Sequence, residues 1–343
     1  GGGGAPPHGR TGEFDVRHEL EVNVPEGAQR LRIWFTLPQD LPAQEAADLE
    51  IRAPHETRTV TDSRGNKLLY LEVRDPREPQ LRLLTTFHLK RHEVNADLDA
   101  SRTRPLTDAE LESMEEYLRP SRYVLVDDEI RELTARVVGG ERNPIRASRK
   151  IYDWVLRNVD YWVKHPDRLK PSGVGSTSYC LSAGTGNCTD FHSLYMSLSR
   201  AAKIPVRMSY GSFLKKTLDG LDTDQSYHCW AEFYAPNLGW IPIDVAVADL
   251  FVGDFELSDA NRRQVILTTA AGYTGGDPRM VDYYFGNLDE RRITWTVGRD
   301  LILEPRQSDG LLNALPKAYV EVDGRVLAEQ TGWTRKLTYR QLN

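Results

Sequence analysis

With 343 residues, 40% of them hydrophobic and 27% charged, the chain has ample material for two or three folded domains. Its 44 Lys and Arg against 50 Asp and Glu leave a net charge of −6, which argues against a broad cationic face for nucleic acid. No window reaches the roughly 18 consecutive apolar residues of a membrane-spanning helix, and three cysteines are too few for a disulfide framework.

Residues 1–13 are rich in Gly and Pro and are expected as a flexible tail. They open on Gly1-Gly2-Gly3-Gly4 without Met, the form that a removed initiator or leader would leave. From Phe14 the pattern alternates. Leu31, Ile33 and Phe35 share one strand face while Arg30 and Arg32 share the other, and Leu81, Leu83 and Phe87 repeat the spacing. Turn signals at Pro25-Glu26-Gly27, Leu37-Pro38 and Arg64-Gly65-Asn66 separate the runs. Five or six short strands predict an N-terminal β-sandwich over residues 14–100 with nothing catalytic in it.

The period then changes, so residues 101–343 read as a second, α+β domain. Thr107 with Glu110 spells a capping box for a helix running to Leu118. Asp127 or Asp128 opens another, which Gly139-Gly140 stops. Asn143-Pro144 starts a third, with Ile145, Tyr152, Val155 and Val159 at helical spacing. Lys164 to Gly186 is rich in Pro, Gly and Ser and reads as a long loop, of the kind that tends to be functional.

That loop delivers the chain to Gly184-Thr185-Gly186-Asn187-Cys188-Thr189-Asp190-Phe191-His192, a glycine-rich turn entering a helix. The helix continues through Leu194, Leu198 and Ala201 and ends at Ile204-Pro205. Cys188 therefore sits at a helix N-terminus, where unpaired amides and the dipole favour a thiolate and could also meet an oxyanion. Downstream, Tyr227-His228-Cys229-Trp230-Ala231-Glu232-Phe233-Tyr234 alternates like a strand. A turn at 235–239 leads into Trp240-Ile241-Pro242-Ile243-Asp244. Pairing Tyr234 with Trp240 puts Asp244 opposite Trp230, so Asp244 becomes the diagonal neighbour of His228 at about 7–8 Å between backbones. A carboxylate there can hold the imidazole tautomer while the other ring nitrogen addresses a thiol.

The segments Gly-x-Gly-Asn-Cys-Thr-Asp-Phe, Tyr-His-Cys-Trp-Ala-Glu and Gly-Trp-x-Pro-x-Asp, in the order Cys188, His228, Asp244, resemble the transglutaminase-like superfamily and most of all its bacterial branch. The likeness covers about residues 145–250 and extends towards Tyr283-Tyr284-Phe285-Gly286, Gly298-Arg299-Asp300 and Tyr319-Val320-Glu321-Val322-Asp323-Gly324. It implies a papain-like core, a nucleophile helix packed on an antiparallel sheet that carries His and Asp. Cys188 would be the nucleophile, His228 the base and then the acid, and Asp244 the orienter. A second oxyanion donor would come from upstream, with Tyr161 or Trp162 as candidates. The resemblance also implies a peptide or protein substrate and a bacterial periplasmic or cell-surface location.

Family members include peptidases, amidases, cross-linking transferases and inactive scaffolds, so the reaction needs its own argument. Hydrolysis is preferred, because nothing visible marks an amine site and water is always at hand. A transamidating cross-linker and a non-catalytic peptide-binding module are the rivals. No cofactor is called for. Cys180, Cys188, His192 and Cys229 match no compact zinc signature, so no metal is expected. Asp190 is expected to cap the helix or hold the loop, His192 to be structural, and Asp249 to be the nearest spare carboxylate. Cys229 is expected behind its strand, away from the cleft, and Cys180 in the loop bordering the site. All three thiols are expected without an essential disulfide.

Overall fold

The alternating segment folds as six antiparallel strands, and strands from the far end of the chain join them. The computed structural model describes residues 9–222, 227–268 and 273–343, which divide into two units of mixed helix and sheet. The β unit comprises Arg10–His92, Tyr210–Tyr227 and Glu290–Asn343. One of its sheets runs Trp333–Gln341, Thr11–Asn23, Gln80–His92, Gln44–Arg52; the other runs Arg325–Val326, Ala318–Val322, Arg30–Thr36, Lys67–Arg74, Arg58–Thr61. Leu31, Ile33 and Phe35 share a buried cluster with Leu20 and Leu83 of the facing sheet and with Val320 and Trp333. The other face of the Arg30–Thr36 sheet is buried too, where Trp34, Leu68 and Tyr70 pack with Leu301, Leu303 and Leu315.

Two expected boundaries change. The first strand starts at Thr11, inside the segment expected as tail, while residues 1–8 lie outside the described ones. The expected division into 14–100 and 101–343 is replaced by one in which the C-terminal strands belong with the N-terminal ones. The reason is edge pairing. Thr11–Asn23 is covered along one edge by Gln80–His92, and its other edge is taken by Trp333–Gln341, with Val16 opposite both Phe87 and Tyr339. Ala318–Val322 likewise completes the edge of Arg30–Thr36. Periodicity identifies strands but not their partners.

The second unit contains Glu93–Ser209 and His228–Asp289. Its helices begin where the caps lie. Thr107 and Glu110 form both bonds of a capping box on Asp108–Ser113, after which a 3₁₀ turn, Glu115–Tyr117, replaces the expected continuation to Leu118. Asp127 caps Asp128–Val138, which Gly139 ends at φ 59°, and Asn143 caps Pro144–Asn158. The expected loop 164–186 holds a further helix, Thr177–Ala183, capped by Ser176 and closed by left-handed Gly184. Only Thr177 and Cys180 are buried on it, so the sequence shows no apolar stripe.

The helix Cys188–Ala201 is buried at every residue from Cys188 to Ser199. Its serines find partners on the helix itself and on the segment before it: Ser193 reaches the Thr189 and Gly175 carbonyls, Ser199 donates to the Tyr195 carbonyl, and Ser197 bonds Thr177. The strand Tyr227–Ala235 lies between Gly239–Ile243 and Val206–Phe213. Among the described residues, no helix is long and apolar enough to cross a membrane.

Candidate active site

Asn187 ends the extended chain and caps the Cys188 helix. Its side chain accepts from the Thr189 and Asp190 amides, and Asp190 returns a bond from the Asn187 amide at 3.1 Å. The buried Asp190 carboxylate also accepts from the Ser172 and Ser176 amides and from the Ser172 hydroxyl. Asp190 therefore does both things expected of it: it caps the helix and pins the incoming loop.

Tyr234 pairs with Trp240 and Ala231 with Ile243, the register expected from the turn. The strand Gly239–Ile243 stops one residue before Asp244, which becomes the N-cap of the helix Val245–Leu250. One carboxylate oxygen, Oδ1, accepts from the Val247 amide at 3.0 Å; the other, Oδ2, lies 2.7 Å from His228 Nε2. Because the carboxylate accepts, His228 carries its proton on Nε2, which leaves Nδ1 as the nitrogen not engaged by Asp244. The Tyr284 carbonyl accepts the Asp244 amide and the Pro242 carbonyl accepts the Gly286 amide, so Tyr283-Tyr284-Phe285-Gly286 braces this end of the ribbon.

Cys188, His228 and Asp244 are all buried, the thiol-bearing residue at 3% exposure. Burial alone would raise the Cys188 pKa. Hydrogen bonding from Cys229, then the charge and hydrogen bond of His228, outweigh it and hold the thiol well below its ordinary range. Burial likewise opposes the imidazolium, yet Asp244 and Cys188 overcome it and raise the His228 pKa. The two shifts favour a thiolate–imidazolium pair.

The profile of the transglutaminase-like superfamily matches residues 131–245, a span that includes Cys188, His228 and Asp244. This chain carries a transglutaminase-like domain. An uncharacterized protein of Haemophilus influenzae is 23% identical over 335 residues, covering 91% of this chain and 86% of its own. Among solved structures, a protein from Cytophaga hutchinsonii described as a candidate cysteine protease matches with a TM-score of 0.55 at 16% identity, covering 96% of this chain and 98% of that one. That likeness extends the shared fold across nearly the whole chain. The periplasmic domain of TgpA from Pseudomonas aeruginosa is more distant, with a TM-score of 0.35 at 15% identity over 68% of this chain and 86% of that one.

Within the transglutaminase-like domain, the two oxyanion candidates separate. Tyr161 is buried, and burial raises its phenol pKa against the opposing pull of the Cys188 backbone, whereas Trp162 is half-buried in the 3₁₀ turn Trp162–Lys164. Asp249 is not a spare partner for His228. Its Oδ2 accepts from the Tyr161 amide at 2.7 Å and pairs with Lys164 at 3.0 Å, while burial, opposed by Lys164, pushes its pKa up to about 6.

Cys229 requires a correction. Face alternation predicts a thiol turned away from the cleft, but its sulfur lies 3.3 Å from Thr189 Oγ1, and Cys229 helps to lower the Cys188 pKa. Thr189, the second residue of the Cys188 helix, therefore reaches the Cys229 sulfur. Cys180 lies buried on the helix Thr177–Ala183 rather than in a loop bordering the site. All three cysteines are free and buried. Among the described residues, no group of three His, Cys, Asp or Glu side chains is placed to hold a metal ion.

Gly186 shows how tightly the entry to the helix is packed. A Cβ there would lie 2.3 Å from Asp190 Cβ and 2.8 Å from Asp190 Oδ2. Gly186→Ala is therefore expected to destabilise the protein by about 1–3 kcal/mol, read from the midpoint of urea unfolding. An unchanged midpoint would mean that the Asp190 contacts yield without cost.

Proposed function

We propose that this chain is a cysteine-nucleophile enzyme acting on amide bonds of peptides or proteins, with hydrolysis as its reaction. On this reading the helical unit is a papain-like core and the β unit a sandwich that supports it. The observation that carries the reading is the 2.7 Å bond from His228 Nε2 to Asp244 Oδ2, in keeping with a Cys188 thiol that the His228 charge helps to hold below its ordinary pKa range.

The Cys188 thiolate adds to an amide carbonyl, forming a carbon–sulfur bond while the carbonyl electron pair moves to oxygen. The Cys188 amide and the Tyr161 hydroxyl would donate to that oxygen. His228 then passes its Nδ1 proton to the leaving amine as the carbon–nitrogen bond breaks. Water enters, gives a proton to Nδ1, and releases the acid and the thiolate. Asp244 keeps Nε2 protonated throughout. An amine in place of water would give transamidation by the same residues.

The test is incubation with a peptide library, followed by mass spectrometry for cleavage, deamidation and added-amine adducts. Cleaved or deamidated products with the native protein and none with Cys188→Ala are expected. Peptide retained unchanged by both would favour the non-catalytic binding module, and adducts alone would favour the transferase.

A further inference from the structure

His192 stands one helical turn beyond Cys188 and is wholly buried. Its Nδ1 lies 2.7 Å from the Cys188 carbonyl oxygen, and its Nε2 lies 3.2 Å from the Val245 backbone nitrogen. The carbonyl can only accept and the amide can only donate. The ring must therefore be neutral with its hydrogen on Nδ1. Burial, opposed by Asp244, lowers its pKa, in keeping with that form. Asp244, Cys188 and His228 are the titratable groups around it, with Asp244 Oδ1 at 4.0 Å from Nε2.

Val245 directly follows Asp244, and Cys188 begins the helix that carries His192. One rigid ring thus joins the backbone of the candidate nucleophile to the backbone next to the candidate orienting carboxylate. We infer that His192 is a positioning residue, setting the distance between the Cys188 thiol and the His228–Asp244 pair through backbone bonds at both ends of that line. The inference rests on the reading of Cys188 as nucleophile. It differs from a base role for His192, whose two nitrogens are both committed to backbone. It also goes beyond core filling, since an apolar ring of the same size would leave the Val245 amide unmet.

The experiment follows iodoacetamide labelling of Cys188 against pH in the native protein, His192→Phe and His192→Gln. A glutamine can donate to the Cys188 carbonyl and accept from Val245, so it restores both bonds. Phenylalanine restores neither. His192→Phe is expected to label at least about tenfold more slowly near pH 6, with its profile displaced towards that of an ordinary thiol, while His192→Gln stays near the native rate.

A folded His192→Phe with the native profile overturns the positioning role and leaves the Cys188 reading intact. An ordinary thiol profile in the native protein overturns that reading and this inference with it. Should His192→Phe fail to fold, nitrogen-15 NMR of the native ring decides. A neutral Nδ1–H tautomer across the labelled range supports the inference, and an Nε2–H tautomer or an imidazolium overturns it.

Discussion

Asp244→Asn is expected to lower turnover by about 10³–10⁴-fold while the fold stays almost unchanged. The size of the effect comes from the two bonds the carboxylate makes at once. Its Oδ1 caps the helix Val245–Leu250 through Val247, and its Oδ2 accepts from His228 Nε2. Asparagine caps helices as well as aspartate does, so its single oxygen can stay on the Val247 amide. The NH₂ then faces His228 and demands an acceptor at Nε2. The ring proton moves to Nδ1, the nitrogen that serves Cys188, and the base is lost without any side chain leaving its place.

The check is turnover on whichever peptide the library identifies, with a urea unfolding curve beside it. An active, folded Asp244→Asn would mean that another group orients His228. Asp249 is not available for that, since it is held by the Tyr161 amide and Lys164.

How far the site could be read from the sequence depended on whether a residue acts through local geometry. The Cys188 helix start follows from Asn187 and the glycines before it, and the His228–Asp244 pair follows from a hairpin whose turn fixes its register. Those are short-range arguments, and they survive folding. Cys229 shows where they stop. Alternation says that it faces away from His228, but not that Thr189 of the Cys188 helix reaches its sulfur. Lys164 and Asp249 are 85 residues apart in sequence and meet only through packing between the 3₁₀ turn Trp162–Lys164 and the helix Val245–Leu250. The helix Thr177–Ala183 was hidden for a different reason: its buried residues are a threonine and a cysteine, which leave no apolar period. The C-terminal strands carry clear alternation yet give no hint that their partners lie some three hundred residues upstream, as in the pairing of Val16 with Tyr339.

In the native protein one thiol, Cys188, is expected to ionise well below the ordinary thiol range, and His228→Ala is expected to move that ionisation upwards. The sign follows from the causes. Burial disfavours the thiolate, while Cys229 and the His228 charge and hydrogen bond favour it, and the favourable set wins. Removing His228 deletes two of these aids and leaves the burial, so the pKa must rise. His228 is itself raised by Asp244 and Cys188 against its burial, so the ion pair occupies the pH window between the depressed thiol and the elevated imidazolium. Below the window the thiol is protonated, and above it His228 has no proton for a leaving amine. Turnover should therefore be bell-shaped, with its acid limb displaced upwards in pH when Cys229→Ala removes one thiolate donor.

Cys180 and Cys229 do not obscure the titration, because burial pushes both well above the ordinary value. Thiolate absorbance in the ultraviolet, followed from acid to neutral pH, should thus report about one group per chain. Matching profiles with an ordinary thiol midpoint in native protein and His228→Ala would remove the physical basis for Cys188 as a nucleophile, however well the backbone matches its relatives.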